Sequence, residues 1–128
     1  MVEGDIKTFL LTQPTITSTS VLGQQIYVGQ TPATVPTTAY AIITRVSDTR
    51  WHDADITTMR IQVTVFDTLY NIATGHSDIV RNSLSRYIGT MTATQIVSCV
   101  FDGAVTLKDT TLAKWYTASD YILTLRKR

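Results

Sequence analysis

Three side chains in this sequence have the chemistry of a nucleophile or a base: Cys99, His52 and His76. A thiolate activated by an imidazole attacks carbonyl carbons, and the pair must lie within hydrogen-bond reach. Cys99 stands between Ser98 and Val100 in a strand-like run, where a cysteine serves as a small core hydrophobe. His76 falls on the apolar stripe of a helical segment, where an imidazole packs and is held by hydrogen bonds. The patterns GxSxG, HExxH and the phosphate-cradling P-loop are absent from the sequence. A triad assembled from distant positions would leave no such pattern, and nothing here supports one. The expectation is a protein that is not an enzyme and has no catalytic residue.

His52, Asp53 and Asp55 lie together, with Asp48 nearby. An imidazole with carboxylates is a ligand set for a divalent ion. Aspartate is also a turn former. The flanking Thr49, Arg50 and Ala54 offer nothing to orient ligands, so the stretch reads as a solvated turn without metal. One cysteine alone can form neither an internal disulfide nor a Cys-rich zinc site. No cofactor is expected. Trp51, in the same turn, is costly to leave wet: it folds back on its own sheet or meets a partner, and tryptophan is enriched at contact hot spots. Arg126, Lys127 and Arg128 form a basic tip that is either a solvated, frayed end or a contact for phosphate or an acidic surface.

These residues must be positioned by a sheet and two helices. Residues 3–12 predict a first helix, with Ile6, Phe9 and Leu10 on one face and Glu3 and Asp5 near its positive end. Pro14 ends it, and residues 15–25 read as irregular. Residues 25–28 form a short strand closed by Gly29, followed by a loop holding Pro32 and Pro36. Residues 39–47 alternate as a strand. In 56–67, Met59, Ile61, Val63 and Val65 point one way and Arg60, Gln62, Thr64 and Phe66 the other, the clearest strand in the chain. The polar turn 48–55 joins the two as a long hairpin. After Asp67 the period changes: Ile72, His76, Ile79, Leu84, Tyr87 and Ile88 predict an amphipathic helix near 69–88, weakened by Gly75 and stopped by Gly89. Residues 94–102 and 116–126 are two more strands. The segment 103–115 either extends the fourth strand or projects as an arm. The order is α-β-β-β-α-β-β, an α+β fold with a mainly antiparallel sheet and two helices packed on one face.

The chain has 128 residues, the size of one domain, so 1–128 is read as one unit with 48–55 and 103–115 as projecting segments. A chain of this length hides roughly two thirds of its unfolded surface and needs no staple. It is 44% hydrophobic and 16% charged, with a mean hydropathy of +0.08, which argues against global disorder. No apolar run approaches the roughly 18 residues of a membrane span, so no membrane partner is expected. The first residues, MVEGDIKTFLLTQ, carry acid where a secretory signal carries base, so none is expected. The net charge of +1 comes from the C-terminal tip, because residues 1–125 hold eight basic and ten acidic groups. A nucleic-acid binder builds its basic patch into the fold. Threonine is the outlier at 24 residues; β-branched and half polar, it suits strands whose methyl packs while its hydroxyl bonds across to a neighbour.

The run from Ile26 to Pro36, then YAIITRVSDTRWHD, then RIQVTVFDTLYNIATGHSDIVRNSLSRY, resembles the tail-completion proteins of long-tailed phages, which are similar in fold to phage tail terminators. The element R-x-Q-V-x-V-[FW]-D leading straight into a helix, here Arg60 to Asp67, carries most of the likeness. The likeness covers Asp5 to about Thr94 and, more loosely, the last two strands. The sequence departs from the family's Gly-rich hairpin tip, replaced here by residues 50–55. The resemblance implies a virion protein at the head–tail junction, assembled in the host cytoplasm into a ring, typically of six copies. It would close the tail tube and meet the tube protein and a head-completion or stopper protein, with DNA at most passing through as cargo. The contact residues expected are Trp51, His52, Arg50, Trp115 and Lys114. A stopper or tube protein, or a small non-catalytic binding module, is the alternative.

Overall fold

The computed structural model describes residues 2–17, 22–30, 39–50, 56–91, 94–111 and 113–126, with residues 48–50 described by their backbone. Three helices, α1 (Val2–Leu11), α2 (Pro14–Thr17) and α3 (Tyr70–Leu84), accompany six strands: β1 (Ile26–Val28), β2 (Tyr40–Arg50), β3 (Ile56–Asp67), β4 (Gly89–Met91), β5 (Thr94–Asp109) and β6 (Lys114–Arg126). The strands form one sheet in the order β1-β2-β3-β6-β5-β4. The α+β class is as expected, and four of the five pairings are antiparallel. The sheet is nevertheless mixed, because β1 joins β2 in parallel, with Ile26 opposite Ala41 and Val28 opposite Ile43. The connection from 29 to 39 is too long for a tight hairpin turn, so nothing forces these two strands to run in opposite directions.

Alternation builds the core. Met59, Ile61, Val63 and Val65 are all buried on one face of β3. Ala41 and Ile43 flank them on β2, and Tyr121, Leu123 and Leu125 on β6. Ile96 and Cys99 of β5 complete the layer. Ile6 and Leu10 of α1, Ile16 of α2, and Val80 and Leu84 of α3 close onto the same cluster, so all three helices cover one face. The spacing of Ala73, His76, Ser77, Val80 and Leu84 is the helical one, and all five are buried. Ser77 and Ser119 bond hydroxyl to hydroxyl at 2.8 Å beneath α3. Two acids of α1 reach opposite borders of the sheet. Glu3 pairs with Arg45 of β2 at 2.7 Å, and the carboxylate of Asp5 accepts from the Thr94 hydroxyl of β5.

Four expectations change. Residues 15–17, expected to be irregular after Pro14, belong with it to α2; the missing N–H of Pro14 costs nothing in a first turn, and Ile16 gains a fully buried site. The helix expected to reach residue 88 stops at Leu84. Arg86 takes a left-handed conformation (φ 65°), and its N–H donates to the Cys99 carbonyl, turning the chain away. Tyr87 then packs edge-on to Phe9 at 4.7 Å, and Ile88 is exposed. Residues 89–91 become β4, a strand the sequence reading lacks; the order is therefore α-α-β-β-β-α-β-β-β. Finally, of the two readings of 103–115 the strand extension holds and the projecting arm does not: the segment holds the end of β5, a turn, and the start of β6, with Leu107 opposite Tyr116 and Lys108 opposite Trp115. The sheet continues because β3 pairs with β6 as far as Asp67 and Trp115.

Candidate functional site

Two of the three residues with nucleophile or base chemistry, Cys99 and His76, are placed in the core. Cys99 is 1% exposed, and burial pushes its thiol up to about 12, which leaves it protonated and unreactive at neutral pH. His76 is buried under α3. Among the described residues no three His, Cys, Asp or Glu side chains converge as metal ligands. The group His52, Asp53 and Asp55 lies outside the described residues, as do Trp51 and the side chain of Arg50. No described helix is long and apolar enough to cross a membrane.

The two remaining expected contact residues are packed within the chain. Trp115 is half-buried and meets Tyr70, the first residue of α3, edge-on at 5.2 Å. Lys114 is 7% exposed, with its Nζ 4.9 Å above the Tyr40 ring. Lys114 belongs to a larger construction on the face of the sheet away from the helices. Tyr40, Phe66 and Tyr116 occupy neighbouring strands at one level, so their rings meet. Tyr40 and Phe66 stack at 4.7 Å, Phe66 and Tyr116 lie 5.5 Å apart, and Tyr27 approaches Tyr40 at 6.4 Å. Such pairs add about 0.5–1.5 kcal/mol each beyond their buried area. Burial, with a smaller push from Asp109, holds the Tyr40 hydroxyl above its ordinary pKa.

Next along this open face lies a charged belt. Arg60 of β3 meets Asp102 of β5 at 2.6 Å and Asp120 of β6 at 3.7 Å, and the Gln62 amide donates to Asp120 at 3.2 Å. On either side of the belt β5 shows Val100, Val105 and Leu107, each more than half exposed. On a strand these should be polar if they faced only water. Val46 of β2 is exposed in the same way. Beside the C-terminal half of α3 a polar groove is lined by Asp78, Arg81, Asn82, Ser85 and Arg86, with the Arg81 guanidinium 3.9 Å above the Phe101 ring.

The arrangement offers no assembled acid–base pair among the described residues. What it offers is a sheet face and two strand borders. The sequence reading missed the aromatic row, because its members come from three strands and meet only through the register. It also missed the exposed alternation of Val105 and Leu107, which residues 103–109 show when read as strand.

No family model matches the chain, and no curated protein matches it. A chain of a solved structure, described as the virion of a native gene transfer agent particle, shares its fold with a TM-score of 0.80 at 12% identity. The match covers 98% of this chain and 95% of that one.

Proposed function

We propose that this protein is a structural component of a phage-like virion that completes the tail tube and joins it to the head as a homo-oligomeric ring. The observation that carries the reading is the end-to-end likeness to a chain of the gene transfer agent virion, at nearly full length of both chains. The sheet supports it physically, because a 128-residue domain that exposes Val46, Val100, Val105 and Leu107 on strands has surface suited to a protein neighbour. The buried, protonated Cys99 fits a non-catalytic role. In this reading the ring, of about six copies, contacts a tube protein on one side and a head-completion or stopper protein on the other. The turn bearing Trp51 is its reaching element, and DNA passes through the ring without a dedicated binding site.

The test is direct. The purified protein, alone and with tube protein, is measured by light scattering after size exclusion and imaged in negative stain. The reading expects closed rings, free or on tube ends, and tails that join heads only when the protein is supplied. A protein that stays monomeric and never binds tube ends overturns it. A stoichiometric metal or a ligand that raises the melting temperature favours a binding module instead.

A further inference from the structure

β5 pairs with β6 over its whole length, whereas β4 covers only its first residues, Thr94–Ile96. β1 covers β2 only from Ala41 to Ile43. Beyond those short caps, no described strand pairs with 101–108 of β5 or with 46–50 of β2 on the outer side.

The direction of the backbone groups follows from two bonds. The Cys99 carbonyl accepts from Arg86, which lies outside the sheet, so the groups of residue 99 point away from β6. Counting alternate residues through the bulge between Phe101 and Gly103, the groups of Ala104 and Thr106 also point outward. The close Thr106–Thr117 hydroxyl pair, 3.0 Å, fits a non-hydrogen-bonded position, as this requires. On β2, Ile43 accepts from Gly29 of the capping segment. The same count through the bulge after Arg45 leaves the groups of Asp48 and Arg50 facing outward.

An unpaired strand edge is a template for another strand, and proteins blunt it when it is not used. These two borders lie on opposite sides of one sheet and run in opposite directions, since β2, β3, β6 and β5 alternate. By the register, 47–50 of β2 is level with 96–100 of β5, so the second copy is related by rotation about an axis inclined to the strands; this keeps its β2 border antiparallel to the β5 border of the first and staggers it along the strands to reach 101–108. We infer that neighbouring copies join by this pairing, the 101–108 border of one to the 46–50 border of the next, so that the sheet runs on from copy to copy. The occupant of the β5 border is thus a second copy of this chain. The inference rests on the ring reading above and assigns its contact: the patch and its complement are different surfaces, as a closed ring requires.

Hydrogen exchange on the intact protein, free and assembled, tests the pairing. The amides of Ala104, Thr106, Asp48 and Arg50 are expected to exchange fast in the monomer and slowly in the ring. Two proline variants probe it separately, because each removes an outward N–H and no ladder bond to a described strand. Ala104→Pro and Asp48→Pro are each expected to keep the monomer's circular dichroism and lose assembly. Mixed one to one, they are expected to give dimers and nothing larger, because each retains one intact border. A ring whose border amides exchange as in the monomer overturns the pairing and leaves the ring reading standing. Asp48→Pro assembling like the unaltered protein overturns the β2 half, and dimers of that variant alone would mean β5 pairs with itself. A protein that never oligomerises overturns both readings.

Discussion

Replacing Cys99 by serine separates a core residue from a reactive one. The side chain is 1% exposed, opposite Leu123 of β6 and among Ile96, Tyr121 and Leu125. A serine there brings a hydroxyl that prefers water, and a buried hydroxyl without a partner costs about 1–3 kcal/mol. For a domain of this size each kcal/mol moves the melting temperature by about 4 °C, so the expected fall is roughly 4–12 °C. Cys99→Ala loses packing only, about 1 kcal/mol. Both variants that fold should assemble and join tails to heads as the unaltered protein does. Alkali gives an independent check. Burial raises the thiol from 9.0 to about 12, so in the folded state it resists losing its proton. Its contribution to stability is intact below about pH 9 and is lost as pH rises towards 12, at about 1.4 kcal/mol per pH unit. Tyr40 and Tyr121 are raised in the same direction by burial and steepen the decline. Denaturant midpoints from pH 7 to 11 should therefore fall less steeply for Cys99→Ala. A Cys99 that reacts with thiol reagents at the rate of a free thiol in the folded protein refutes the burial argument. A folded, assembling Cys99→Ser variant without activity would put an enzyme in place of a structural protein.

Trp51→Ala should melt near the unaltered temperature yet fail to join tails to heads, with about 2 kcal/mol lost per contact; normal assembly with a much lower melting temperature would make Trp51 a core residue. Leu10→Ala, at a fully buried site of α1, should cost about 2–5 kcal/mol in urea unfolding. Arg60→Ala, whose ion pairs are partly exposed, should cost no more than about 1 kcal/mol by the same measure. His76→Ala should lower stability without a separate loss of activity, read by comparing melting with head–tail joining.

The parts of the fold legible in the sequence are those in which one local period decides burial. Residues 56–67 alternate without a break, and β3 has those limits, with Met59, Ile61, Val63 and Val65 inward. The helical stripe through His76 and Leu84 was readable for the same reason. Its end was not, because Tyr87 and Ile88 continue the apolar spacing while Arg86 reverses the backbone, a choice set by its bond to Cys99 thirteen residues on. The parallel entry of β1 was hidden too, since Ile26 and Tyr27 carry no mark of direction. Of the candidate contacts, Lys114 and Trp115 lie in a stretch that local pattern leaves open between strand and arm. The register makes it strand, with Trp115 opposite Asp67 of β3 and Lys114 opposite Asp109 of β5, pairings no local pattern announces.

The two acids of α1 also say something about timing. Glu3 finds its partner 42 residues later and Asp5 finds its own 89 residues later. Because synthesis runs from α1 towards β5, α1 has no complete seat until β5 has emerged, and its ten residues are too few to hold together well in water alone. During synthesis the chain carries Ile6 and Leu10 uncovered while most of the sheet is made, so α1 settles after elements made later than itself.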